Sequence, residues 1–76
     1  MKELVQYLVS SLVDHPDAVE VVEVPDNGAI TYRVKVHAED MGRVIGRQGR
    51  IAKAIRNVVS AAAYRQKQRV FVDIQS

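Results

Sequence analysis

Hydrophobic residues recur through the first dozen positions at spacings of three and four: Leu4, Val5, Leu8, Val9, Leu12 and Val13. This is the period of one helix face, and it predicts an amphipathic helix over residues 2–13. The run ends at Asp14-His15-Pro16-Asp17, because the residue before a proline is pushed out of helical backbone space. Two stretches rich in β-branched residues follow, 19–24 and 30–36, separated by Pro25-Asp26-Asn27-Gly28. An Asn-Gly pair accepts the positive φ of a tight turn, so these stretches are expected to pair as an antiparallel hairpin. In the second, Ile30, Tyr32, Val34 and Val36 alternate with Thr31, Arg33, Lys35 and His37, leaving one side for burial. In the first, apolar positions 19 and 21 give way to 22 and 24, and the change of parity suggests a bulge.

A short helix is expected over 39–45, with Asp40 as its cap or first-turn acid. The segment Gly46-Arg47-Gln48-Gly49 then leads into a strong helix over about residues 50–64. At about 100° per residue, Ile51, Ile55, Val58, Val59 and Ala62 share one face of it, and Arg50, Lys53 and Arg56 lie on another. After a turn at 66–68, Val70, Val72 and Ile74 alternate in a closing strand. The order is α-β-β-α-α-β, which predicts an α+β domain spanning residues 1–76, a three-stranded sheet packed on helices. A helical crossover separates the last two strands, which allows them to lie parallel.

Composition removes several classes of function. The chain has no cysteine, so disulfides, thiolate metal sites and a cysteine nucleophile are excluded. No apolar run approaches the roughly 20 residues of a membrane span, and Glu3, Gln6, Ser10 and Ser11 interrupt the first helix. No membrane role is expected, and a cytoplasmic location is. With 76 residues and no disulfide, a core of this size supplies only about 3–5 kcal/mol, so self-association or a partner is a reasonable expectation.

The formal net charge of +2 conceals an asymmetry. Residues 1–40 hold eight acids against three bases, a net −5, whereas residues 41–76 hold eight bases against Asp73 alone, a net +7. Such segregation points to an anionic partner, nucleic acid first.

The chemistry is concentrated at Val44-Ile45-Gly46-Arg47-Gln48-Gly49-Arg50-Ile51. Two glycines three apart let backbone approach a ligand without a Cβ in the way. A helix start beyond them favours a phosphate, which Arg47, Arg50 and Lys53 would also attract. Other glycine motifs do not match. A P-loop needs Gly-Lys followed by Ser or Thr, and the 42, 46, 49 spacing is not the dinucleotide fingerprint. Ser10 and Ser11 lack a glycine elbow, and Glu20 and Glu23, three apart in a strand, point to opposite faces. No catalytic constellation, cofactor site or metal-ligand cluster emerges, so an enzyme is not expected. Tyr64 and Phe71 read as core or interface rather than base stackers.

The glycine segment and its basic helix resemble the KH domain, with Arg47 and Gln48 as the variable pair of its loop. The element order is similar to type II of that family, over nearly the whole chain. The length and opening helix resemble the KhpA family of small bacterial RNA-binding proteins. The KH-domain pattern often has isoleucine three positions after the second glycine; here the place holds Ala52, with Ile51 one step earlier. The resemblance implies a single-stranded RNA partner, about four nucleotides held at the loop, with Gly46, Arg47, Gln48 and Gly49 on the backbone. Bases would lie in a groove between the helices and the second strand, over an apolar floor from Val44, Ile45 and Ile51. It further implies action with a second KH-containing protein, KhpB, or as a homodimer, as an RNA chaperone or post-transcriptional regulator in cell elongation and cell-wall homeostasis. The alternative is a dimerisation module with residual nucleic-acid binding, using Ser60-Ala61-Ala62-Ala63 for close helix approach.

Overall fold

In a computed structural model, which describes the backbone of residues 1–76 and every side chain except that of Arg47, the two β-branched stretches form β1 (Glu20–Asp26) and β2 (Ala29–Lys35). They pair antiparallel in unbroken register, from Glu20 opposite Lys35 to Asp26 opposite Ala29. Asn27 and Gly28 turn the chain with φ of 49° and 81°. The expected bulge is absent. Val21 pairs with Val34 inside the core, while Val22 and Val24 lie on the sheet's other face, where Val22 is 54% exposed. The change of parity therefore marks apolar residues on the outer face, not an extra residue in the ladder.

Strand β3 (Arg69–Gln75) runs parallel to β2, which makes β2 the central strand of a β1-β2-β3 sheet. Helices α1 (Lys2–Leu12) and α2 (Ala38–Arg65) supply the other side of the core. Val5 and Val9 from α1 and Ile55 and Val59 from α2 are buried with Val21, Tyr32 and Val34 of the sheet. A 3-10 turn at Pro16–Ala18 follows α1, and Gln6 Nε2 donates to the Val19 carbonyl at 3.1 Å, tying α1 to the start of β1. Burial, reinforced by the Glu23 carboxylate opposite it in the ladder, pushes the Tyr32 phenol up to about 12.

The core face of α2 is rotated from the expected one. Ala52, Ile55, Val59 and Ala63 are buried, whereas Val58 is 44% exposed. The helix thus turns the small residues Ala52 and Ala63 inward and leaves Val58 at the margin. Arg56, expected on the basic ridge, donates from Nε to the Val72 carbonyl of β3 at 3.4 Å.

Helix α2 also departs from the anticipated helix, loop and helix. It is one hydrogen-bonded run of 28 residues, but Gln48 (φ 62°) and Gly49 (φ 69°) leave right-handed helical space. These two residues form an elbow between a first half, 38–47, and a second half, 50–65. Counted as halves, they complete the order α-β-β-α-α-β.

Candidate nucleic-acid interface

The first half of α2 is anchored at its base. His37 caps it, with Nδ1 accepting the Glu39 backbone N–H at 3.1 Å. Asp40, of its two expected roles, takes that of first-turn acid, and it reaches back across the fold. Its carboxylate accepts the backbone N–H groups of Asp14 (3.2 Å) and His15 (2.9 Å). The His15 ring, at 3.2 Å through Nδ1, completes the contact. Burial disfavours the Asp40 charge, but the His15 ring and the two backbone donors outweigh it, so its pKa lies below the ordinary carboxylate value. Its hydrogen bond raises the His15 pKa, with the charges of Asp40, Glu39 and Asp14 adding to it. One turn on, Arg43 Nη1 donates to Asp14 Oδ1 at 2.8 Å.

His15, His37 and Glu39 also bring potential ligand atoms within 4.8 Å of one another, a grouping that sequence spacing did not reveal. It does not fit a bound ion. The two imidazoles are stacked at 4.1 Å with their planes 16° apart, so an ion in the plane of one ring lies out of the plane of the other. Both Nδ1 atoms are already engaged.

The elbow opens a groove of about 520 Å³ lined by Gly42, Arg43, Gly46, Arg50 and Ile51. All five come from the two halves of α2; no β2 residue lines it, unlike the groove expected between helices and second strand. A Cβ placed at Gly42, Gly46 or Gly49 would meet nothing within 4 Å, so bare backbone faces open space. Gly46 has no positive φ; only Gly49 does. The helical run continues through the elbow, and what it presents to a ligand is uncovered backbone flanked by cations.

The expected site residues separate by position, with Gly49 half-buried at the elbow itself. Gly46, Arg50 and Ile51 line the groove, and Gln48 and Lys53 are exposed beside it in the chain. Arg50 and Lys53 form no ion pair among the described residues. Ile45 is 54% exposed, but Val44 is fully buried and supports the surface from beneath. The Arg47 side chain lies outside the described residues. Ala52 is buried, and Ile51, half-buried and packed against the core, also lines the groove, so the one-step shift of isoleucine puts part of its side chain on the groove wall. Gly42 and Arg43 were missed. The signal was present in Gly42 and Gly46, four apart and therefore stacked on one helix face.

No helix among the described residues is long and apolar enough to cross a membrane. The family model for the KhpA/KhpB KH domain matches residues 2–74. Over 74 residues, covering 97% of this chain, it is 54% identical to the RNA-binding protein KhpA of Halalkalibacterium halodurans, 97% of which is covered. It is 55% identical to that of Caldanaerobacter subterraneus and 45% identical to that of Listeria monocytogenes, at the same coverage of this chain and over 99% and 97% of those proteins. These names describe binding, not catalysis. No solved structure matches. A full-length family match, on the α-β-β-α-α-β fold with its glycine elbow, places the chain in the KhpA/KhpB KH-domain family.

Proposed function

We propose that the chain is a non-catalytic single-stranded RNA-binding protein whose clamp is the Gly46-Arg47-Gln48-Gly49 elbow. The observation that carries this reading is the groove itself: uncovered backbone at Gly46 beside Arg50, with Ile51 as an apolar wall. A phosphate would sit against the glycines and cations, and bases would rest on Ile51 and Ile45. The curated relatives, named as RNA-binding proteins, support RNA as the ligand. The family resemblance supports a role as RNA chaperone or post-transcriptional regulator in the cytoplasm, with KhpB as partner, in cell elongation and cell-wall homeostasis.

A second reading, an interaction module forming a homodimer or a pair with KhpB, is favoured by the outer face of the sheet. There Val24, Thr31 and Phe71 lie in one row across the three strands, and Phe71 is 53% exposed.

The double substitution Arg47→Asp with Gln48→Asp tests the first reading. It places two negative charges where the phosphate would sit, and RNA binding is expected to vanish while circular dichroism stays unchanged. A folded double variant that binds RNA as the parent does would remove the elbow from the site. Lost RNA binding with self-association intact would show that the two surfaces are separate.

A further inference from the structure

Tyr64, at the far end of α2, is 84% exposed, the most of any large hydrophobic side chain described. It was expected in the core or an interface, yet it contributes nothing to the core. Tyr64 lines a second surface cleft, of about 510 Å³, together with Arg65, Lys67, Gln68 and Arg69. None of these three cations forms an ion pair among the described residues. The end of a helix ordinarily repels anions through its free carbonyls, but here three of the last four, those of Ala62, Ala63 and Tyr64, accept hydrogen bonds. Gln66 N–H bonds to Ala62 and Ala63, Lys67 N–H to Tyr64, and Gln68 N–H to Ala63. Lys67 takes a φ of 56°, turning the chain sharply so that β3 starts beside Tyr64 and brings Arg69 to the cleft.

The cleft is aligned with the elbow. At about 100° per residue, Arg50, Lys53, Asn57, Ala61 and Tyr64 fall within an arc of about 80°, and all five are exposed. The path from Arg50 to Tyr64 is about 21 Å along the axis. From residue 41 onward the only acid is Asp73. A polyanion leaving the elbow along this face meets cations, small side chains and an amide, and then an uncovered aromatic ring.

The geometry points to a second contact for the same RNA strand at this cleft, the Tyr64 ring stacking on a base and Arg65, Lys67 and Arg69 holding the adjacent phosphates. Stacking on an exposed ring tolerates any base, and cations tracking the backbone do likewise, so the contact lengthens the footprint without adding sequence preference. This inference rests on RNA binding at the elbow, and its test separates the two.

Fluorescence anisotropy is measured with single-stranded RNA oligomers of about 4 and about 16 nucleotides, the range of short and extended sites. The longer RNA is expected to bind the parent more tightly. Tyr64→Ala should weaken the longer RNA by about five-fold or more and leave the shorter one unchanged, while Tyr64→Phe retains the parent's behaviour. Replacing Arg65, Lys67 and Arg69 with Gln should flatten the salt dependence for the longer RNA alone. The Arg47→Asp, Gln48→Asp variant should lose the shorter RNA, which reports the elbow independently. The second contact is overturned if Tyr64→Ala leaves the longer RNA's affinity intact or weakens both oligomers equally. It is likewise overturned if Tyr64→Ala turns a dimer into a monomer by sedimentation with the length dependence unchanged, since the cleft then joins copies of the chain. If the parent binds neither oligomer, the elbow reading fails and this site with it.

Discussion

His15 holds the Asp40 carboxylate twice, through its backbone N–H at 2.9 Å and its ring Nδ1 at 3.2 Å. Asp40 is only 2% exposed, so this contact joins the segment after α1 to the first turn of α2 and sets where the groove-bearing half of that helix begins.

A pH dependence follows from the signs of the two shifts. His15 has a folded pKa above its ordinary 6.5, so its contribution is complete below 6.5 and disappears as pH rises through the higher folded value. Asp40 has a folded pKa below its ordinary 3.8, so its contribution holds above 3.8 and disappears as pH falls through the lower folded value. Stability from this contact is therefore greatest between 3.8 and 6.5. The melting temperature of the parent should fall from about pH 6 to about pH 8, the window in which histidine titrates, and His15→Gln should flatten that decline. A parallel decline in both proteins would show that His15 is not its source.

Removing the acid tests the backbone contacts separately from the charge. Asp40→Ala leaves the Asp14 and His15 N–H groups without their acceptor, and unsatisfied donors away from water are destabilising. Asp40→Asn keeps one carbonyl oxygen to accept them but loses the charge that His15 meets. Thermal melting is expected to rank parent above Asp40→Asn and Asp40→Ala lowest. Equal melting of the two variants would assign the whole effect to the charge.

Much of this fold was legible because its signals are local. The alternation from Ile30 to Val36, the Asn27-Gly28 turn and the Pro16 stop each depend on a few neighbouring residues, and the structure reproduces them. What escaped depends on contacts distant in sequence. Asp40 reads only as a local cap or first-turn acid, because nothing near it shows that Asp14 and His15, 26 and 25 residues away, need an acceptor. Val22 and Val24 read as a bulge because a sequence does not show which sheet face lacks a cover. The elbow was legible as a glycine pair. Its groove partners Gly42 and Arg43 were not, since a helix that stops short of Gly46 does not stack Gly42 beneath it, whereas the continuous α2 does.

The rotated core face gives a contrast in stability. Ile55 is fully buried, and Ile55→Ala should cost about 2–5 kcal/mol, from lost burial and the cavity left behind. That is enough to leave a domain this small partly unfolded. Val58 is 44% exposed, and Val58→Ala should fall well below that range. Urea unfolding of the two variants measures the difference, and similar losses would restore the expected face of Ile51, Ile55, Val58, Val59 and Ala62.

The two elbow glycines should respond oppositely to alanine. Gly49 has a φ of 69°, and a Cβ in left-handed backbone costs about 1–2 kcal/mol. Gly46 carries no positive φ, and an added Cβ meets nothing within 4 Å, so Gly46→Ala should gain up to about 1 kcal/mol of helix propensity. If RNA backbone approaches Gly46, that same methyl stands between them, and Gly46→Ala becomes a more stable protein that binds RNA more weakly. Chemical denaturation and anisotropy on one preparation test both halves. Gain of stability with unchanged affinity would remove Gly46 from the contact surface.

Salt dependence counts the phosphates at the elbow. Arg47, Arg50 and Lys53 could neutralise about three, and each phosphate on a single strand contributes about −0.7 to the slope of log affinity against log salt, giving a slope near −2 for a short oligomer. Lys53→Gln should reduce the magnitude by about 0.7. Arg43 is already paired with Asp14 at 2.8 Å, so Arg43→Gln should change the slope much less than Lys53→Gln does. A Lys53→Gln slope equal to the parent's, with the Arg43→Gln slope reduced, would mean that the strand displaces Asp14 from Arg43 and enters the groove from the α1 side rather than along the second half of α2.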